Sequence, residues 1–110
     1  MPTEMTEPAR PTAEASAPHP DLILYSRDGC HLCDETRQVL AALLAQRATA
    51  GLAAPRLVER DIAANPEWER AFLTTIPVVE LAGSRLELAT GTARLRQLLD
   101  EVLGAVPARA

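Results

Sequence analysis

The amino-acid sequence predicts one small α/β domain whose elements run β-α-β-α-β-β-α around a four-stranded mixed sheet. Three observations carry that reading. An apolar run, Leu22-Ile23-Leu24-Tyr25, passes through an Asp28-Gly29 turn directly into residues spaced as on a helix. Two later runs, Pro77-Val78-Val79-Glu80-Leu81 and Arg85-Leu86-Glu87-Leu88, are separated only by Ala82-Gly83-Ser84, the spacing of a β-hairpin with a three-residue loop. The chain has 110 residues and shows no internal repeat, which suits one domain and not two.

Each element has its own justification. Residues 1–20 hold Pro2, Pro8, Pro11 and Pro18 among Ala, Thr, Ser and Glu, and bury too little to offset the entropy of ordering. They are expected to be a disordered tail in which His19 is solvated and idle. The folded domain is expected over residues 21–103. Leu22 to Tyr25 is apolar without alternation, as in a central strand covered on both faces. In the helix that follows, Thr36, Val39, Leu40, Leu43 and Leu44 keep the 3.6-residue period, Asp34 and Glu35 suit its positive end, and Gly51 can stop it.

Residues 56–62 mix apolar and charged types and read as a strand nearer an edge. Strand, crossover helix and strand should then be parallel and right-handed. Asn65 can cap a short helix with Pro66 in its first position, and Trp68 and Phe72, four apart, pack inward. From about Thr92 to Leu103 a stripe of Leu95, Leu98, Leu99, Val102 and Leu103 defines the last helix, ended by Gly104. Residues 104–110 read as a loose tail.

Composition excludes several functions. Formal net charge is -4 with no basic run, and every cation is arginine, which argues against nucleic acid or an anionic membrane as partner. No apolar stretch approaches the roughly 18 residues of a membrane span, and the N-terminus lacks the apolar core of a secretory signal. A soluble, cytoplasmic, monomeric protein is expected. Aromatics are 3% of the chain, so aliphatic residues must build the core.

Both cysteines lie in Cys30-His31-Leu32-Cys33, where the first strand hands over to the first helix. Two thiols there can close a disulfide across the first helical turn, the signature of a thioredoxin-like redox site. The competing view is two small buried hydrophobes, but a structural pair belongs within the periodic face of an element, not beside an Asp-Gly turn. Cys30, at the helix start, faces unpaired backbone N–H groups and the positive dipole end, which favour a thiolate. Arg27 adds a cation, while Asp28, Asp34 and Glu35 oppose; a lowered pKa is expected on balance. Cys30 is then the nucleophile and Cys33 the resolving thiol. His31 either favours the Cys30 thiolate when protonated or is an exposed filler.

At these residues the chain resembles the glutaredoxin-like branch of the thioredoxin-like fold. Tyr25-Ser26-Arg27-Asp28-Gly29-Cys30-His31-Leu32-Cys33 is similar to the glutaredoxin active-site segment, including a basic residue three before the first cysteine. Thr75-Ile76-Pro77 matches that family's Thr-Val-Pro run, whose proline is cis. The Cys-His-Leu-Cys form is close to that of small bacterial glutaredoxin-like proteins. The resemblance spans roughly residues 21–103. It implies a cis Ile76–Pro77 bond and an Ile76 backbone aimed at the disulfide partner, open to main-chain hydrogen bonds from an extended substrate. Leu32 stands where a tyrosine is expected and suits an apolar contact.

One departure bears on substrate. Glutaredoxins carry Gly-Gly-(Ser/Thr)-Asp at the start of the last helix, holding the glutamyl end of glutathione. Here the segment is Thr90-Gly91-Thr92-Ala93. Gly91 and Thr92 fit, with Thr92 able to cap the helix. Ala93 replaces the aspartate, and Arg94 next to it repels the glutamyl ammonium if it points into the groove. The expectation is therefore a thiol–disulfide oxidoreductase with protein disulfide or dithiol partners, no cofactor and weak or no specific glutathione binding. Two other readings stay open. One is metal or iron–sulfur cluster binding by Cys30 and Cys33, which needs ligands from elsewhere because structural zinc takes four. The other is a non-catalytic interaction module of the same fold.

Overall fold

The computed structural model describes residues 20–105. The expected N-terminal tail, His19 included, lies outside the described residues except for Pro20, and the C-terminal tail is described only at Gly104 and Ala105. The elements are β1 (Leu22–Ser26), α1 (His31–Thr49), β2 (Leu57–Asp61), α2 (Pro66–Phe72), β3 (Val78–Leu81), β4 (Ser84–Leu86) and α3 (Thr92–Leu103). The strands form one sheet in the order β2-β1-β3-β4. β1 runs parallel to β2 and antiparallel to β3, and β3 pairs antiparallel with β4. The sheet is mixed, as expected, with β1 in its interior and β2 at an edge.

Alternation along β1 builds two cores. Leu22 and Leu24 join Leu40 and Leu43 of α1, Leu95 and Leu99 of α3, and Val79 and Leu81 of β3 on one face. Tyr25 joins Ile62, Phe72 and Val78 on the other, where α2 packs and Trp68, Ile23 and Ile76 lie partly buried. Two long helices therefore cover one face and one short helix the other. On the α2 side the edge strand's Arg60 stacks over both Tyr25 (5.7 Å) and Trp68 (5.4 Å), so a charged residue of β2 supplies cover that an apolar one would otherwise give.

Four local expectations need correction. β2 ends at Asp61, and Ile62 opens a single 3₁₀ turn (Ile62–Ala64) whose Ala63 N–H donates to the Asp61 carboxylate at 2.9 Å, so Ile62 is fully buried instead of extended. The hairpin loop has two residues, not three: Leu81 pairs with Ser84, leaving Ala82 and Gly83 at φ 51° and 87°. Consecutive positive φ values make the primed turn whose twist matches the strands. β4 stops at Leu86, because Leu88 turns to φ 47° and leaves the ladder. Thr92 does not cap α3; it is the first helical residue, and Gly91 at φ 91° takes the cap position without any side-chain hydrogen bond. Asn65 does cap α2, accepting from Glu67 N–H at 2.8 Å, with Pro66 in the first helical position.

Candidate active site

The cysteines are presented by a turn and a helix cap. Arg27-Asp28-Gly29-Cys30 closes on itself, Cys30 N–H donating to Arg27 C=O at 3.3 Å, with Gly29 at φ 79° in the third position. A turn of that shape needs a residue tolerant of positive φ there, hence glycine. Cys30 then stays extended (φ -90°, ψ 104°) and becomes the N-cap of α1, its Sγ accepting from Cys33 N–H at 3.1 Å. The two sulfurs are joined as a disulfide, with Cα atoms 5.2 Å apart. The pair is asymmetric: Cys30 is half-buried and Cys33 is 0% exposed.

A chain of hydrogen bonds ties this turn to the proline segment. The Ile76–Pro77 bond is cis. Pro77 C=O accepts from Ala89 N–H (2.8 Å) and Thr75 C=O from Leu88 N–H (2.9 Å). Ala89 C=O accepts from the buried Thr36 hydroxyl at 2.7 Å, one helical turn beyond Cys33. Thus α1, the proline segment and the loop before α3 share one support, and Gly91 and Thr92 follow directly from it. The Ile76 backbone is less open than expected: its N–H donates to Phe72 C=O at 3.1 Å, so an incoming strand finds that donor taken.

The remaining expected site residues are distributed around this frame. His31 and Leu32 are exposed in the first turn of α1, and Thr92 is exposed at the start of α3. Arg27 is exposed on the rim of a cleft of about 450 Å³ between the β1–α1 turn and β2. Asp28, Asp34, Glu59, Asp61 and Arg37 also line it. Arg37 is committed there, donating to Asp34 (2.7 Å) and to both Glu59 oxygens, one of them from Nε at 2.8 Å. Ser26 hydroxyl also donates to Glu59 at 2.7 Å. The Arg37 guanidinium, helped by that hydroxyl and opposed by partial burial, holds the Glu59 carboxyl below the usual carboxylate range. The Arg94 guanidinium, which would repel a glutamyl ammonium if it pointed into the groove, donates to Leu88 C=O (2.8 Å) and Glu87 C=O (3.3 Å), folding the loop before α3.

Among the described residues no three His, Cys, Asp and Glu side chains converge as a metal site requires. A metal on Cys30 and Cys33 would need ligands from outside these residues. No described helix is long and apolar enough to cross a membrane.

Fold and site together define a thioredoxin-like protein with a two-cysteine motif at the first strand-to-helix turn. Residues 21–103 match the glutaredoxin-like domain family (DUF836), and the chain belongs to that family. It is similar to the protein XcR50 from X. campestris, whose X-ray structure is 31% identical over 73% of this chain and 96% of that one, with a TM-score of 0.59. The solution structure of the same protein gives 30% identity and a TM-score of 0.58. Protein Ne2328 from Nitrosomonas europaea, 21% identical over 76% of this chain and 94% of its own, shares the fold with a TM-score of 0.54. No curated protein matches the chain.

Proposed function

We propose that the protein is a thiol–disulfide oxidoreductase working through Cys30 and Cys33. The observation that carries this is the asymmetric pair at the head of α1, joined as a disulfide with one sulfur accessible and the other enclosed. In the reduced form the Cys30 thiolate attacks one sulfur of a partner disulfide. The partner S–S bond breaks, a mixed disulfide forms and one partner thiolate leaves. Cys33, losing its proton, then attacks the Cys30 sulfur and expels the second thiolate. The protein gives up two electrons and the Cys33 proton, and with one further proton from solvent the partner disulfide becomes two thiols.

Several groups support that division of labour. The Cys33 N–H that meets Cys30 Sγ is a ready donor to a thiolate there, and the N-terminal end of a 19-residue helix favours negative charge. Asp28 and Asp34 oppose it; Arg27 lines the same cleft as a further cation, while Arg37 is committed to Asp34 and Glu59. Proteins are the favoured partners and glutathione a weak ligand, because Ala93 offers no counter-charge to the glutamyl ammonium. The setting is the cytosol, where dithiols are kept reduced, with the protein acting as a monomer.

The test is differential alkylation of the reduced protein followed by trapping. Cys30 should alkylate far faster than Cys33, and Cys33→Ser should accumulate mixed disulfides with its substrates. Equal alkylation rates in the reduced wild type would overturn the assignment.

A further inference from the structure

Leu88 is placed twice against its own preference. Its backbone sits at φ 47°, a left-handed conformation in which an L-residue's Cβ crowds a carbonyl oxygen. Its side chain is nonetheless 49% exposed, so packing does not compensate. Three hydrogen bonds hold it there: its N–H on Thr75 C=O, and its C=O under both Thr90 N–H (2.8 Å) and Arg94 Nη1 (2.8 Å). Backbone strain of this kind persists where the surroundings enforce it, and it gathers at ligand-contacting positions.

The surroundings say which ligand. Leu88 is bonded to the residue two before Pro77, and its neighbour Ala89 is bonded to Thr36. Leu32, four residues before Thr36 and so one turn nearer the head of α1 on the same side, is 45% exposed. One exposed leucine, Leu32, thus stands on α1, which Ala89 joins through Thr36, and the other, Leu88, directly precedes Ala89 in the chain. With Ile76 N–H already used by Phe72, a docking chain has less main-chain pairing to gain and depends more on side chains. Across the β1–α1 turn the cleft sets Asp28, Asp34, Glu59 and Asp61 against Arg27 and Arg37.

We propose that Leu88 and Leu32 form the apolar half of a docking surface for an extended polypeptide disulfide. Its occupant carries an apolar side chain on one side of the reacting cysteine and a basic side chain on the other, facing the acid-lined cleft. Charge complementarity selects this occupant: the cleft has an excess of carboxylates, and its Arg37 is neutralised by Asp34 and Glu59. Anionic glutathione meets neither half. The inference rests on the redox reading above and names the substrate class for that site.

The experiment compares single-turnover reduction, by pre-reduced protein, of three disulfides: symmetric dimers of a Leu-Cys-Arg peptide and of a Ser-Cys-Glu peptide, and bis(2-hydroxyethyl) disulfide. Each rate is divided by that with dithiothreitol, which removes intrinsic reactivity. The wild type should favour Leu-Cys-Arg over Ser-Cys-Glu by about tenfold or more. Leu88→Asn, chosen because asparagine tolerates left-handed backbone, should cut that preference to about threefold or less. Equal peptide rates in the wild type, or a preference that Leu88→Asn leaves intact, overturns the surface. A Ser-Cys-Arg peptide isolates the apolar half without any variant: it should lose at least about threefold against Leu-Cys-Arg, and equal rates refute the leucines' role. Reduction of the small disulfide without peptide preference overturns the surface alone. No reduction of any of the three overturns the redox reading and the surface with it.

Discussion

Two helix starts stand close together in the chain of contacts around Cys30, and they are finished in opposite ways. α1 is capped by a side chain, the Cys30 sulfur on Cys33 N–H, and carries Asp34 in its first turn. Asp34 is braced through Arg37 to Glu59 of β2. α3 begins at Gly91 with no side-chain cap and no acid in its first turn, and its nearest guanidinium, Arg94, turns back to the preceding loop. Both ends offer backbone N–H groups to negative charge. At α1 the charge is built in and can change with the redox state of a sulfur. At α3 no side-chain cap and no acid of the first turn supplies it. The difference teaches that one helix start is completed by a side chain of its own while the other is closed by backbone alone.

The largest effect should come from exchanging the sulfur for an oxygen that caps equally well. Cys30→Ser should abolish disulfide reduction while leaving stability in reductant within about 0.5 kcal/mol of the wild type, since serine is a good N-cap. Reductase assays beside denaturant melts check it, and a matching loss of stability would mean the cap, not the chemistry, had been removed. Next, Ala93→Asp gives α3 the acid it lacks. A charge-assisted hydrogen bond of roughly 1.5–3 kcal/mol should raise glutathione-coupled activity by about tenfold or more, with reduction by a general dithiol nearly unchanged. A wild type that already matches an authentic glutaredoxin in that assay would show that the missing aspartate is irrelevant here.

Two smaller effects sharpen the contrast. Gly91→Ala should destabilise the protein by about 1–2 kcal/mol, because an L-residue is forced to positive φ although space for its Cβ is open. Urea melts measure it. Glu59→Gln probes the brace of α1. Glu59's folded-state pKa is depressed, so its contribution is present above the unfolded value of about 4.3 and is lost as pH falls through the folded value. The pair is over a third exposed, which limits the cost at pH 7 to under about 1 kcal/mol. Wild type and variant should converge in acid, and a gap that widens there would contradict the sign.

The element order and the head of α1 were readable from the sequence because they rest on local signals. The Asp28-Gly29 turn, the Asn65-Pro66 cap and the stripe on α3 each need only neighbours in the chain. Besides the local turn and cap details corrected above, what escaped depends on contacts between distant segments. Thr36 fell on the apolar face of α1 and passed for core; its hydroxyl, buried at 1% exposure, needed a partner and found Ala89 C=O in the loop before α3. Arg47 continues the same buried face, and its 5% exposure is sustained by Asp100 at 2.9 Å, Gly104 C=O at 2.7 Å and Ala53 C=O. A charge on an apolar stripe was the available clue to that network. Leu88 had no clue at all, since nothing in Glu87-Leu88-Ala89 distinguishes a strand from a left-handed turn.

The aromatic cluster over α2 has an optical consequence. The chain's one Trp, one Tyr and one Phe all meet there, Tyr25 edge-on to Trp68 at 5.8 Å and tilted against Phe72 at 4.5 Å. Every intrinsic fluorophore therefore reports on a single patch. Tyr25 is also the last residue but one of β1, and Ser26 leads straight into the turn that presents Cys30. Tryptophan emission excited through Tyr25 is thus a local gauge of whether α2 stays seated on the sheet. It reads the thin layer of the sandwich while the thick layer, built of leucine and valine, remains dark.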